Sequence, residues 1–258
     1  MNAFKLAKAV LAKRMGNAYA NEQADAGLPF GARVGSLVTL KINPFLRAVG
    51  SLVGMPQASQ RVMGVSKLHV DLNGHAYRFY TALGDADNEP ESFLQIYTDG
   101  AGKVVEMTYF RRMVRIIPET SEEQDAFLGE DSAGLGQSTF SIERAQMDGV
   151  DLGPGVVEQA FGGNGAITYD RAVGDSAAEF VAPFRGTENR IDDARGDHGL
   201  RQDIVFMPYQ RTLAGGATEQ LLISTEIVRD RNGDENAREI HVDFMVGLVL
   251  GANDVLVQ

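Results

Sequence analysis

The chain has 258 residues, with 35 acidic against 24 basic side chains, a formal net charge of −11 and a hydrophobic fraction of 44%. A chain of that size buries an ample core, as one large domain or two small ones. Its negative field opposes phosphate backbones and no local basic face offsets it, which argues against nucleic acid as a partner; the absence of cysteine excludes disulfides, thiolate catalysis and Cys-ligated metal centres.

Residues 2–15, rich in Ala, Leu and Lys, favour helix. Phe4, Ala7, Leu11 and Met15 form one stripe, with Lys5, Lys8, Lys13 and Arg14 scattered around it. Such a basic helix either docks loosely as a terminal segment or touches an anionic membrane surface. The lysines interrupt every apolar run here, so no signal-peptide core forms, and no later run approaches the ~20 residues of a membrane span. The expected protein is soluble and cytoplasmic. A polar, Ala-rich linker follows to Gly27, so the expected organisation is a helix and linker over 1–27 and β-rich units over 28–150 and 151–258.

From Leu28 the character changes to short β runs. Val34–Ile42 reads as a strand, and Asn43-Pro44 as the start of a short helix, with Asn as cap and Pro at the first helical position. Val65–Leu72 alternates Leu68, Val70 and Leu72 with Lys67, His69 and Asp71. Asn73-Gly74 then turns the chain back through His75–Leu83. Phe93–Thr98 and Lys103–Val114 predict a second hairpin. Thr120 and Glu123 have the spacing of a capping box, which predicts a helix ending at Gly129. Gln137–Met147 reads as a strand, and a short helix precedes Gly162-Gly163. Glu188–Asp203, nearly all polar, reads as a long exposed loop. Glu219–Arg229 and Ala237–Leu250 predict the last hairpin. Its second arm sends Ile240, Val242, Phe244, Val246, Leu248 and Leu250 inward and Glu239, His241 and Asp243 outward. The fold class is mainly β: antiparallel hairpins forming one or two sandwich or barrel-like units, with a few short helices.

Three constellations carry candidate chemistry. The first is a repeated unit. Tyr169 and Arg171 precede Glu179 across a predicted turn, and Tyr209 and Arg211 precede Glu219 at the same spacing. A looser copy runs from Tyr77-Arg78-Phe79 to Glu91. Each reads either as a cross-strand ion pair with Tyr covering the Arg stem, or as part of a groove for an acidic or carbonyl-bearing partner. Arg111, Arg112 and Arg115 extend such a surface, although alternation puts Arg111 and Arg112 on opposite faces. The second constellation is His69-Val-Asp71 with His241-Val-Asp243. Brought together, two His and two carboxylates suit a divalent metal; left apart, they are polar residues on wet strand faces. The third, Asp230–Asn236, places oxygen ligands at alternate positions but lacks the central glycine and terminal glutamate of a calcium loop, so an exposed hairpin turn explains it better. No phosphate loop, nucleophile elbow or catalytic triad is present, and no cofactor is expected.

The segments Leu28-Pro-Phe-Gly-Ala-Arg-Val-Gly, Phe93-Leu-Gln-Ile, Tyr169-Asp-Arg, Pro183–Glu188 (PFRGTE), Met207-Pro-Tyr-Gln-Arg211 and Glu219-Gln-Leu-Leu-Ile-Ser together resemble the YjfK-like family of bacterial proteins, whose function is unassigned. The resemblance spans Leu28 to the C-terminus. Genes of that family tend to adjoin those for phage-shock-protein-A-like membrane-remodelling proteins. The resemblance therefore implies a non-enzymatic interaction protein working from the cytoplasmic side with a membrane-associated, phage-shock-protein-A-like partner. It supplies no catalytic residues. The competing expectation is a small-ligand or divalent-metal-binding protein, or an enzyme, with a cleft built from the His/Asp pairs or the repeat arginines.

Overall fold

A computed structural model describes residues 24–71, 73–84, 90–148, 150, 152–153, 155–229 and 238–258. The expected N-terminal helix and the calcium-like loop at 230–236 lie outside the described residues, as does most of the expected linker. Among the described residues strand accounts for 49% and helix for 13%, which bears out the mainly β expectation.

The strands are β1 (Leu37–Leu40), β2 (Ser59–Arg61), β3 (Gly64–Val70), β4 (His75–Leu83), β5 (Glu91–Thr98), β6 (Val104–Ile116), β7 (Thr139–Glu143), β8 (Ala166–Arg171), β9 (Phe184–Ile191), β10 (Gly199–Thr212), β11 (Thr218–Arg229), β12 (Arg238–Leu250) and β13 (Val255–Val257). Three α-helices are described: α1 (Asn43–Arg47), α2 (Ser121–Leu128) and α3 (Val156–Phe161). The large sheet runs β11-β12-β6-β5-β4-β3-β9-β10, and β10 pairs back onto β11. Every pairing is antiparallel, and closure gives an eight-stranded barrel. The stretch 28–150 supplies β3–β6 and the stretch 151–258 supplies β9–β12, so the two do not form separate sheets. Beyond Phe206, which faces the first residue of β9, β8 takes over the edge of β10, and β7 pairs onto β8 outside the barrel. A small sheet, β13-β1-β2, completes the fold.

An eight-stranded barrel has an interior just wide enough for side chains to fill. Alternation sends Leu68, Ala76, Tyr80, Phe93, Phe110, Ile204, Phe206, Leu222 and Met245 inward as one apolar cluster. Phe93 sits at its centre, with ring centroids 5.3 Å from Tyr80 and 5.5 Å from Phe110. Gly247 is the inner residue of β12 that faces the Phe110 ring. A Cβ there would lie 2.5 Å from Phe110 Cδ1, so the aromatic ring occupies the space that any other residue needs.

The opposite strand faces are buried as well. Val242, Phe244, Val246 and Leu248 belong to a second, larger cluster outside the barrel wall. Phe127 of α2 and Phe140 of β7 cover Phe244 at 6.0 and 5.8 Å, and Phe45 of α1 covers Tyr109 at 5.9 Å. The α2 helix starts as its sequence predicts: the Glu123 N–H donates to Thr120 Oγ1 at 3.2 Å, and the Thr120 N–H donates to Glu123 Oε2 at 3.1 Å. For α1, Asn43 is the first helical residue rather than the cap, and Ile42 precedes it without a side-chain cap.

Three expectations are corrected. The first repeated unit, Tyr169 and Arg171 across a turn from Glu179, is not a hairpin: β8 ends at Arg171, Glu179 lies outside any strand, and β9 begins at Phe184. Glu188–Asp203 is not one long loop, since β9 and β10 pair through Glu188↔Gln202, Arg190↔Leu200 and their neighbours, leaving only a short turn. In β12, His241 and Asp243 face the barrel interior, while the apolar row faces its covered outer wall.

Candidate functional site

The apolar plug fills only part of the barrel. At the end where β4–β5, β9–β10 and β11–β12 connect, the interior becomes polar and opens into a cavity of about 430 Å³. Tyr80, Glu91, Arg115, Glu188, Arg190, Gln202, Glu226 and His241 line it, with Leu83, Leu200 and Val228 at its apolar margins. Charged groups at such depth are costly unless paired, and the pairing is extensive.

Glu188 is one hub. Arg78 Nη1 donates to its Oε2 at 2.7 Å, Ser66 Oγ and Tyr80 Oη donate to its Oε1 at 2.5 Å each, and Gln202 Nε2 reaches its Oε2 at 3.4 Å. Arg78 is only 1% exposed and stacks 4.7 Å from the Phe93 centroid, where the aromatic plug meets the polar end. Burial, then the charge of Glu188, raises the Tyr80 phenol well above its ordinary pKa, so it donates as a neutral hydroxyl.

Asp243, fully buried, is the second hub. Arg115 grips it with two bonds, Nε to Oδ1 at 2.7 Å and Nη2 to Oδ2 at 2.6 Å. Strict alternation puts Arg112 and Arg115 on opposite faces of β6. A bulge restores them to one face: Met245 pairs with Arg112 and Phe244 with Val114, so the register gains a residue at Met113. Arg112 then donates to the Gly84 carbonyl at 3.2 Å, with Glu91 at 3.6 Å and Asp243 at 3.8 Å.

Glu91 and Glu226 are less well compensated. The nearest guanidinium nitrogen of Arg115 is 3.3 Å from Glu226 and 4.0 Å from Glu91. Burial, then the charge of Glu226 and Asp243, raises the Glu91 carboxyl well above its usual range. Burial, then Asp243, pushes Glu226 up to about 8. Around the rim, Arg190 forks onto Asp192, with Nε–Oδ1 at 3.0 Å, and lies 5.3 Å from the Tyr80 ring centroid.

The sequence-predicted residues divide. His241 and Asp243 belong to this site. His69 is exposed on the outer face of β3 and Asp71 lies exposed beyond that strand's end. In the closed order three strands separate β3 from β12 in either direction, so the two His-Val-Asp segments stand on opposite sides of the barrel and do not converge. Among the described residues no three His, Cys, Asp or Glu side chains gather as a metal site.

Tyr169, Arg171, Tyr209 and Arg211 come together as neighbours on β8 and β10; the second copy is the expected hairpin, with Arg211 opposite Glu219 across β10 and β11, and the first is not. Buried Glu219 accepts from Tyr169 Oη at 2.8 Å, Arg211 Nε at 2.7 Å and the Leu52 N–H at 2.6 Å, and Arg211 also donates to the Gly50 carbonyl at 2.7 Å. Arg171 donates to the carbonyls of Gly136, Val173, Asp175 and Ala178, while Tyr209 Oη accepts the Gly136 N–H at 2.9 Å. These bonds fasten loops onto the outside of the barrel, and none of the four residues lines the cavity.

Glu188, Arg190 and Gln202 lay unrecognised in what reads as a loop. Their signal was alternation: Glu188 and Arg190 two apart on one arm, Gln202 and Ile204 two apart on the next. Comparison with protein-family models, curated proteins and solved structures returned no match to this chain.

Proposed function

We propose that this protein binds a small polar molecule in the open end of its barrel. The observation that carries the reading is the cavity of about 430 Å³, within the size range of ligand pockets and walled by charged side chains that the fold has drawn out of water. Barrel mouths are a recurrent place for such sites because the wall is rigid and the interior side chains converge. A purely structural network would gain by packing shut, whereas this one stays open. Thermal unfolding against a panel of polar metabolites tests the reading. At least one compound should raise the midpoint of the wild type and leave Val228→Phe, which fills the cavity margin, unmoved. A panel in which every stabilising compound acts equally on both proteins contradicts it.

A second reading, a protein that works with a phage-shock-protein-A-like partner, follows from the family resemblance. What supports it is the edge strand β7, which pairs only with β8 among the described strands, and the exposed apolar residues Leu46, Val49 and Met55. Loss of such a partner from a native pull-down on placing Pro at Ser141 is the expected result; co-purification unaffected by that change argues against β7 as the contact.

A further inference from the structure

The chemistry of the ligand can be read from what the cavity wall lacks, an inference that rests on the ligand-binding reading above. Two of the buried carboxylates have a guanidinium within 2.7 Å, Glu188 with Arg78 and Asp243 with Arg115 at 2.6 Å, and half-buried Asp192 at the rim has Arg190 at 3.0 Å. Glu91 and Glu226 share what remains, with Arg112 3.6 Å from Glu91 and Arg115 3.3 Å from Glu226. Glu91 Oε1 is buried with no hydrogen-bond partner, and so is Gln202 Oε1, on residues each 4% exposed. Both residues line the cavity, from β5 and β10. Both orphan atoms are acceptors. Arg78 Nη2, a buried donor that also lacks a partner, belongs to a residue that does not line the cavity.

We propose that the barrel-end cavity takes an organic ammonium ion, whose N–H groups satisfy Glu91 Oε1 and Gln202 Oε1. A positive charge there offsets the surplus of carboxylate over guanidinium, and the donors remove the two orphan acceptors. A bare metal ion fits poorly, because no three metal-ligating side chains converge among the described residues and the volume far exceeds one ion.

Binding of this kind is coupled to protons. Glu91 and Glu226 face Arg112 and Arg115 from β6, His241 and Asp243 from β12, Glu188 and Arg190 from β9, and Arg78 from β4. Both carboxyls hold their protons more tightly than usual in the empty cavity, Glu226 up to about 8. An arriving ammonium ion favours their ionised forms, so it displaces protons and binds more tightly as pH rises toward that value.

Isothermal titration of the full chain with putrescine, n-butylamine and succinate tests this, run in two buffers of different ionisation enthalpy. Expected is saturable binding of an amine with proton release, no binding of succinate, and an affinity loss of ~10-fold or more in Glu91→Gln. Because that variant keeps the shape of the buried group, its melting curve should match or exceed the wild type's, which separates lost binding from lost fold. Succinate binding that Val228→Phe abolishes would overturn the ammonium assignment while leaving the cavity as a ligand site. Amine binding indifferent to both Glu91→Gln and Val228→Phe would overturn it as surface association. No heat from any of the three probes would overturn it as well, and the panel comparison of wild type with Val228→Phe then decides separately whether the cavity binds anything.

Discussion

Arg115 and Asp243 face each other across β6 and β12 in a two-pronged ion pair, with Nε–Oδ1 at 2.7 Å and Nη2–Oδ2 at 2.6 Å. The pair exists because the bulge at Met113 turns Arg115 back into the barrel beside Arg112. Breaking one half leaves the other charge buried. Asp243→Ala should therefore cost ~3–5 kcal/mol in urea unfolding, and Arg115→Met with Asp243→Leu should recover much of that loss. A double variant as unstable as the single one would show that the pair is not the source.

Glu226 makes stability depend on pH in a defined direction. Its folded pKa of about 8 lies above the ordinary 4.5, so between those values the folded state holds more protons than the unfolded chain. The contribution is complete below about 4.5 and is lost as pH rises through about 8. Glu226→Gln keeps the neutral shape and should flatten that part of the profile, making the variant relatively more stable at alkaline pH. Denaturation midpoints that fall in parallel for both proteins from mildly acidic to alkaline pH would place the titrating group elsewhere.

Phe244 stands on the covered outer wall, between Phe127 and Phe140. Phe244→Ala should cost ~3–5 kcal/mol by calorimetry or denaturant titration. His241 lines the cavity mouth with its side chain 14% exposed, its Nε2 3.6 Å from exposed Glu239. His241→Ala should change stability by no more than ~0.5 kcal/mol. Equal costs for the two would contradict the assignment of these neighbouring faces.

Glu219 serves three donors from β8, β10 and the segment after α1. Glu219→Ala strands all of them and should cost ~3–5 kcal/mol, whereas Tyr169→Phe removes one bond and should cost ~1 kcal/mol. Neither residue lines the cavity, so ligand-induced stabilisation of Tyr169→Phe should equal that of the wild type. A selective loss of ligand response in Tyr169→Phe would move the site to the outer cluster.

The strands of the hairpins β3–β4, β5–β6 and β11–β12 were legible because one face of each is continuously apolar and turn residues separate them. What misled was the meaning of the other face. In an open sheet, Glu239, His241 and Asp243 opposite an apolar row point to water, but closure of the barrel makes their side the interior. The same event hides Glu188, Arg190 and Gln202, whose polar side chains read as a solvated loop until β9 and β10 pair. Closure depends on the long-range pairings of β3 with β9 and of β6 with β12, which no local pattern encodes. The Tyr-x-Arg repeat misled in the opposite sense. Its equal spacing suggested duplicated hairpins, yet only the second copy is one, with Arg211 opposite Glu219, and the first joins it side by side through Arg171 and Tyr209. The Arg112–Arg115 convergence depends on one extra residue in β6, and alternation alone predicts its opposite.

The most direct test of the central claim is equilibrium dialysis of wild type and Val228→Phe, side by side, against a small-molecule extract of the source cells, with bound compounds identified by mass spectrometry. The account predicts a basic, amine-bearing compound concentrated by the wild type and not by Val228→Phe. Identical bound fractions for the two proteins would contradict a ligand site at the barrel end.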